Sequence, residues 1–71
     1  MNRFNPRKLL HSKWTAVQPR NREKHFMVIA CIEDEQATIT GVELEAVHSR
    51  RSEILDWRRL QDSELWRQGW H

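Results

Sequence analysis

The sequence has no tyrosine and only one cysteine, two glycines and two prolines among its 71 residues. Cys31 alone cannot form an internal disulfide bond, and two isolated glycines cannot build a glycine-rich phosphate-binding loop. The longest apolar run, residues 26–32, has seven residues, whereas a membrane-spanning helix needs about 20. The first residues are basic and polar, unlike a secretory signal. These absences predict a cytoplasmic protein that does not cross a membrane.

Four tryptophans contrast with the absence of tyrosine. A chain of this length buries only about 60–65% of its unfolded surface when it folds, and each buried tryptophan removes about 150–250 Å² from water. We therefore expect tryptophan to serve mainly as a core residue. Trp66 is expected to close the core beside Trp57, and Trp70, which follows Gly69, is expected to be the most exposed of the four.

The net charge of +2 is the sum of two oppositely charged parts. Residues 1–24 carry seven basic side chains and one acidic side chain, a net charge of +6. The remaining residues carry five basic and nine acidic side chains, a net charge of -4. A basic N-terminal third on an acidic body points to an anionic partner such as nucleic acid.

The pattern of apolar residues predicts a single α+β domain over residues 1–71. Alternating apolar residues favour a small antiparallel β-meander of three to four strands over residues 13–60. Asn5 followed by proline predicts a helical turn over residues 6–11, because asparagine caps free backbone N–H groups. Residues 1–5 are expected to be disordered.

The C-terminal segment shows a second capping pattern. An aspartate at the start and a glycine just beyond the end predict a short helix over residues 62–68. The fold prediction is therefore a helical turn, an antiparallel sheet and a C-terminal helix.

In the third predicted strand, residues 37–48, the apolar residues change from an odd-numbered position, Ile39, to even-numbered positions beginning at Val42. A β-bulge near Gly41 would correct this change. With the bulge, Val28 pairs with Leu44 and Ile32 pairs with Ile39, which keeps one apolar face continuous.

The last strand is predicted to cover residues 53–60, with Trp57 on that apolar face. A one-residue slip would turn its apolar residues away from the core, so only alternate registers are allowed. In the two most favourable registers Arg58 lies opposite either Glu43 or Glu45.

The metal-ligating and nucleophilic residues of the sequence are not spaced as in a catalytic site. His25 and Cys31 would share a strand face, but six residues of strand separate them by about 20 Å, too far to bind one metal ion. The apolar and acidic neighbours of Cys31 raise the pKa of its thiol and disfavour the nucleophilic thiolate. We expect no metal site, cofactor, catalytic residue or small-molecule substrate, and hence a protein that is not an enzyme.

Binding of RNA or single-stranded nucleic acid is the first functional hypothesis. Lysine and arginine neutralise phosphates, and an exposed aromatic ring stacks on an unpaired base. The candidate residues combine the basic segment, a second basic turn and two tryptophans: Arg7, Lys8, Lys13, Trp14, Arg20, Arg22, Lys24, Arg50, Arg51 and Trp70.

Protein association is the alternative hypothesis. Met27, Ile29 and Val47 lie on the second face of the predicted sheet among acidic residues. If the terminal helical segments leave that face exposed, these side chains form an apolar patch with an acidic rim, suited to homodimerisation or to another protein.

Several short blocks of sequence occur in the order found in a known family. The blocks "KLLHSKWTAVQP", "EKHF", "VELEAVHSRR" and "ILDWRRLQDSELWRQGW" together resemble a family of small tryptophan-rich bacterial proteins of unknown function, over residues 5–70. The resemblance implies a stand-alone bacterial domain and brings no established activity, cofactor or ligand. It also implies that the aromatic residues belong to the defining pattern: Trp14, Phe26, Trp57, Trp66 and Trp70.

Overall fold

The computed structural model describes all residues, 1–71, and contains one five-stranded antiparallel sheet. The strands lie in the order β4-β3-β2-β1-β5. Their bounds are Lys13–Arg20 for β1, Glu23–Glu33 for β2, Ile39–Ala46 for β3, Ser52–Asp56 for β4 and Trp66–Gln68 for β5.

Helical structure is limited to two short 3-10 turns, Pro6–Lys8 and Trp57–Gln61. The protein is therefore nearly all-β, and the predicted α+β class is wrong, although the antiparallel sheet is confirmed. The first turn begins where the asparagine cap predicted, since the Arg7 backbone N–H donates to Asn5 Oδ1 over 3.0 Å.

The predicted C-terminal helix over residues 62–68 is wrong. Asp62 does act as a cap, because its side chain accepts a hydrogen bond from the Glu64 N–H over 2.9 Å, but the helical geometry stops after one turn. Trp66–Gln68 then form β5 against the outer edge of β1. This pairing gives hydrogen-bond partners to the backbone groups at the free edge of β1. The stability gained exceeds that of a short helix, which is marginal on its own.

The predicted strand over residues 53–60 is also wrong beyond Asp56. The Asp56 side chain accepts a hydrogen bond from the Arg58 N–H over 2.9 Å and starts the second 3-10 turn. This turn carries Leu60 into the core, where it is fully buried. Arg58 consequently lies opposite neither of the predicted glutamates and contacts Asp56 instead, 3.3 Å away.

The pairing of β2 with β3 agrees with part of the predicted register. Val28 pairs with Leu44, as predicted, and an irregularity occurs at Gly41. Ile32 pairs with Gly41 rather than with Ile39, so that second predicted pair is wrong. A Cβ atom on Gly41 would lie 3.0 Å from the Leu55 carbonyl oxygen of β4, which explains the glycine.

A second irregularity was not predicted. Ile29 and Ala30 of β2 together face the single residue Glu43 of β3. The extra residue shifts the parity of β2, and Cys31 therefore packs against the core, although simple alternation from Val28 would turn it to the other face.

The core lies on one face of the sheet. It contains nine buried residues: Leu9, Trp14, Phe26, Val28, Val42, Leu44, Ala46, Leu60 and Trp66. Leu9 and Leu60 reach this face from the segments outside the sheet, and the half-buried Trp57 packs beside them. Trp14 and Trp66 are core residues, and Trp70 is the most exposed tryptophan, at 39%, as expected.

The N-terminal residues hold part of this cover in place. The Asn2 side-chain amide donates hydrogen bonds to the carbonyl oxygens of Leu60, over 2.9 Å, and Trp66, over 2.7 Å. The Phe4 ring meets Trp14 and Trp57 edge to face, with ring centres 5.6 and 6.0 Å away. Residues 1–5, which we expected to be disordered, thus make specific contacts in the structure.

The molecule is a thin slab of 37 × 25 × 15 Å. Two packed sheets would by themselves lie about 10 Å apart before their outer side chains are added, so 15 Å corresponds to one sheet with a single partial cover. The opposite face, called the second face below, is defined by Thr15, His25, Met27, Glu45 and Ile54.

Ala37→Gly is expected to stabilise the fold. Ala37 adopts a φ of +61° in the β2–β3 turn, a left-handed conformation that disfavours a side chain. Relief of this strain outweighs the entropy that glycine adds to the unfolded chain, so the free energy of unfolding should rise by about 0.5–1 kcal/mol. Urea denaturation followed by tryptophan fluorescence measures the change. The matched substitution Ala46→Gly, in a buried strand position, should lower stability.

Candidate nucleic-acid interface

Two turns meet at one end of the sheet. In a meander, the turn between β1 and β2 and the turn between β3 and β4 lie at the same end. The first is a two-residue turn, Asn21 and Arg22, both with positive φ, which is the geometry of the type I′ hairpin. The second spans residues 47–51. Together they place Arg20, Arg22, Lys24 and Arg50 at this end, which we call the basic end.

The Glu23 carboxylate joins the two turns. It is 4% exposed and accepts hydrogen bonds from Arg51 Nε, over 3.1 and 3.0 Å, and from Arg51 Nη2, over 2.7 Å. The Ser49 hydroxyl donates to the same carboxylate. Burying a carboxylate is costly unless its lone pairs are satisfied, and here one guanidinium and one hydroxyl satisfy them.

These contacts change the titration of both partners. Hydrogen bonds from Arg51 and then from Ser49 lower the pKa of Glu23, although burial opposes the shift. Hydrogen bonds from Glu23 and Glu53 raise the pKa of Arg51, so the pair is ionised at neutral pH. Because Arg51 is engaged with both glutamates, it is the least available of the predicted phosphate-binding residues.

The other cations of the basic end are free to meet a ligand. Arg20, Arg22 and Lys24 are exposed and take no part in the salt bridges of the structure. Arg50 has an 82% exposed side chain and only a long contact, 4.0 Å, to Glu45. The fold therefore unites two basic segments that lie about 30 residues apart in the sequence.

A cleft opens beside the basic end on the core side of the sheet. It has a volume of about 700 Å³, within the range of about 300–1,000 Å³ for small-molecule sites. Arg20 and Arg59 are among its lining residues, and Phe26 and Trp66 belong to its apolar part. These two arginines make no salt bridge, but Glu23, Glu53 and Asp56 also line the cleft, so its lining carries both signs of charge.

Three predicted cations lie away from the basic end. Arg7 and Lys8 belong to the first 3-10 turn, and Lys13 begins β1. The seven-residue rise along β1 separates Lys13 from Arg20 by about 23 Å. The structure therefore divides the predicted nucleic-acid residues into two groups instead of forming one continuous surface.

The two predicted stacking residues have different environments. Trp14 is 1% exposed, and its indole N–H donates to Ser12 Oγ over 2.8 Å, so it has no free face for a base. Trp70 lies on the second face with its ring stacked on His25, 5.8 Å between centres. Lys13 Nζ lies 4.8 Å from the centre of the same ring.

The residues of the alternative protein interface lie on or beside the second face. Met27 is half-buried at its centre, next to His25 on β2. Ile29 is the residue at the β2 irregularity, and Val47 is 43% exposed. Met27 and Val47 thus approach one surface, with Ile29 one row further along β2.

Cys31 does not resemble a nucleophile. Burial and the nearby Glu33 raise the pKa of its thiol. No three metal-ligating side chains lie close enough together to hold an ion. None of the helical segments has the length and apolar character needed to cross a membrane.

Sequence reasoning missed two residues of this region. Glu23 lies in the charged stretch "RNRE", and nothing local shows that a turn 28 residues away buries its carboxylate. Arg59 falls within the predicted strand over residues 53–60 but lies in the second 3-10 turn. The sequence Leu55-Asp56-Trp57 did carry a signal for its true position, since aspartate is a favoured cap at a helical start.

Comparison with known proteins identifies a family for this chain. A family model described as a tryptophan-rich protein (DUF2389) matches residues 12–71. This range contains all four tryptophans and the whole of the sheet. No curated protein and no solved structure matches the chain significantly.

Glu23→Gln is expected to destabilise the protein at neutral pH and to flatten its acid denaturation profile. A lowered folded pKa means that ionised Glu23 contributes stability above its ordinary pKa of 4.5 and loses this contribution as the pH falls through the lower folded value. Urea denaturation between about pH 7 and about pH 2 should show the variant and the wild type converging.

Glu35→Gln is the matched control, since Glu35 is exposed in the β2–β3 turn and makes no salt bridge. Its profile should follow that of the wild type. A constant offset between Glu23→Gln and the wild type down to the most acid pH would contradict the assigned role of the carboxylate.

Proposed function

This chain belongs to the tryptophan-rich family DUF2389, and we propose that it is a noncatalytic binding module for RNA or single-stranded nucleic acid. The observation that carries the proposal is the basic end, where Arg20, Arg22, Lys24 and Arg50 converge from two turns. Four exposed cations on a rigid sheet end form a local positive potential that neither segment would produce alone.

The four exposed cations of the basic end would bind the phosphates. Each cation that neutralises a phosphate releases a condensed counterion, which makes binding depend on salt concentration. Glu23 and Arg51 would serve as the positioning pair, because their buried contact holds the second turn beside the first. Arg51 would contribute less directly, since Glu23 and Glu53 already engage its guanidinium.

The cleft beside Arg20 would receive an unstacked base. The exposed guanidinium groups of Arg20 and Arg59 in its lining can contact the base or its phosphate, whereas Phe26 and Trp66 are core residues that leave little ring surface in the cleft. An extruded or single-stranded base reaches such a cleft, whereas a base within a duplex does not. This preference for unpaired bases replaces the predicted stacking on Trp14, which is buried.

Cys31 supports a noncatalytic role for the protein, and it also supports a cytoplasmic location, which is part of the same proposal. It is the only cysteine of the chain, it is free, and its raised pKa keeps the thiol protonated. An unpaired thiol persists best in a reducing compartment.

The double variant Arg22→Gln/Lys24→Gln is expected to bind a short single-stranded RNA more weakly and with less dependence on salt. Each phosphate contact to a single strand contributes about 0.7 to the slope of log affinity against log salt concentration. Loss of two contacts should therefore reduce the magnitude of the slope by about 1.4. Fluorescence anisotropy of a labelled oligonucleotide, measured over a series of salt concentrations, gives the slope.

The matched control is Arg7→Gln/Lys8→Gln, which removes the same charge from the first 3-10 turn. It should leave the slope close to that of the wild type. Equal losses in both double variants would show that binding follows net charge alone, and absence of binding by the wild type at low salt would overturn the proposal.

A further inference from the structure

The second face of the sheet is covered on one side only. The C-terminal residues turn back over β1 and β2: Thr15 Oγ1 donates to the Gly69 carbonyl over 2.7 Å and accepts from the His71 N–H over 3.0 Å. The Trp70 indole N–H donates to the Phe26 carbonyl over 2.9 Å. Trp70 thus stands above β1 and β2, and the half of the face over β3 and β4 has no cover.

The uncovered half carries two exposed apolar side chains together with the half-buried Glu43 and Glu45. Ile54 on β4 is 67% exposed and Val47 at the end of β3 is 43% exposed. Ile54 pairs with Glu43, four residues along β3 from Val47, so these two side chains lie more than about 13 Å apart. Val47 is the one beside Trp70, because its N–H donates to the carbonyl of His25, on which the Trp70 ring stacks. One half of the face is therefore raised and the other half is open.

One row across the strands carries opposite charges at its two ends. Lys13 of β1 pairs with Met27 of β2, and Met27 pairs with Glu45 of β3. Neighbouring strands lie about 4.8 Å apart, so a cation and a carboxylate flank Met27 at similar distances on its two sides. Lys13 has no acidic partner, and Glu45 has only the 4.0 Å contact to the exposed Arg50.

We propose that this face binds a second copy of the chain, with a two-fold axis that runs along β2 through Met27. Rotation about this axis exchanges the β1 side with the β3 side. Lys13 of each copy then lies over Glu45 of the other, and the two Met27 side chains meet on the axis. Trp70 of each copy enters the open half of the other, against Val47, which lies in the same row as His25.

The charge pattern of the row Lys13, Met27 and Glu45 favours a second copy of the chain as the partner. A pattern of cation, apolar centre and anion is complementary to its own rotated image, which is the requirement for a two-fold interface. An axis perpendicular to the strands would instead place Lys13 on Lys13.

This inference stands apart from the proposed function, because none of the four cations of the basic end belongs to the interface, although Val47 begins the β3–β4 turn. It also has a consequence for that function. An axis along the strands keeps both copies pointing in the same direction, so the dimer would present two basic ends side by side. Two linked sites on one strand of nucleic acid would bind more tightly than one.

Sedimentation equilibrium without nucleic acid tests the dimer. The wild type should approach twice the monomer mass of 8.6 kDa as its concentration rises to about 1 mM. Lys13→Glu and Glu45→Lys should each lower the fraction of dimer, because like charges then face each other. The double variant Lys13→Glu/Glu45→Lys should restore it, because the swapped charges again face their opposites.

Two further variants separate loss of the interface from loss of folding. Lys8→Glu makes the same charge change outside the face and should leave the dimer intact, whereas Val47→Asp places a charge against Trp70 of the other copy and should abolish it. Urea denaturation confirms that each variant is folded. A wild type that stays monomeric to about 1 mM, or a charge swap that fails to restore the dimer, would overturn this proposal and leave the test of nucleic-acid binding unaffected.

Discussion

The buried contact between Glu23 and Arg51 is the constraint on which the basic end depends. The core lies between one face of the sheet and the covering segments. It does not extend to the tips of the turns. There, a carboxylate that is 4% exposed requires donors, and only the β3–β4 turn supplies them, through Arg51 and Ser49. The same contact neutralises Arg51 and leaves Arg20, Arg22, Lys24 and Arg50 as the cations that face solvent.

The thinness of the molecule explains why two surfaces are available for binding. One sheet with a partial cover buries Leu9 and Leu60 on one side, and beyond this cover the same side forms the cleft beside Arg20. The other side carries only the C-terminal residues around Trp70. Nucleic acid at the basic end and a second copy on the second face would therefore occupy different surfaces, and neither would require the core to open.

Prediction from sequence succeeded where apolar and polar residues alternate strongly within one strand. It failed where contacts between residues far apart in the sequence determine the local structure. The pairing of Val28 with Leu44 followed from alternation, and the irregularity at Gly41 followed from the change in parity. β5 has only three residues, too few for a periodic signal, and exists because β1 offers a free edge. Of the candidate sites, Arg20, Arg22, Lys24 and Arg50 were named from charge alone, but their convergence depends on Glu23, whose burial has no local signal.

The most direct measurement of the central constraint is solvent exchange of the Arg51 Nε–H proton by ¹⁵N NMR at neutral pH. The Nε–H donates to both oxygens of Glu23, so the signal should exchange much more slowly than that of the exposed Arg22 and should show contacts to the Glu23 and Ser49 side chains. Glu23→Gln should accelerate the exchange. An Arg51 signal that exchanges as fast as that of Arg22 in the wild type would contradict the account, because the two turns would then have no fixed connection.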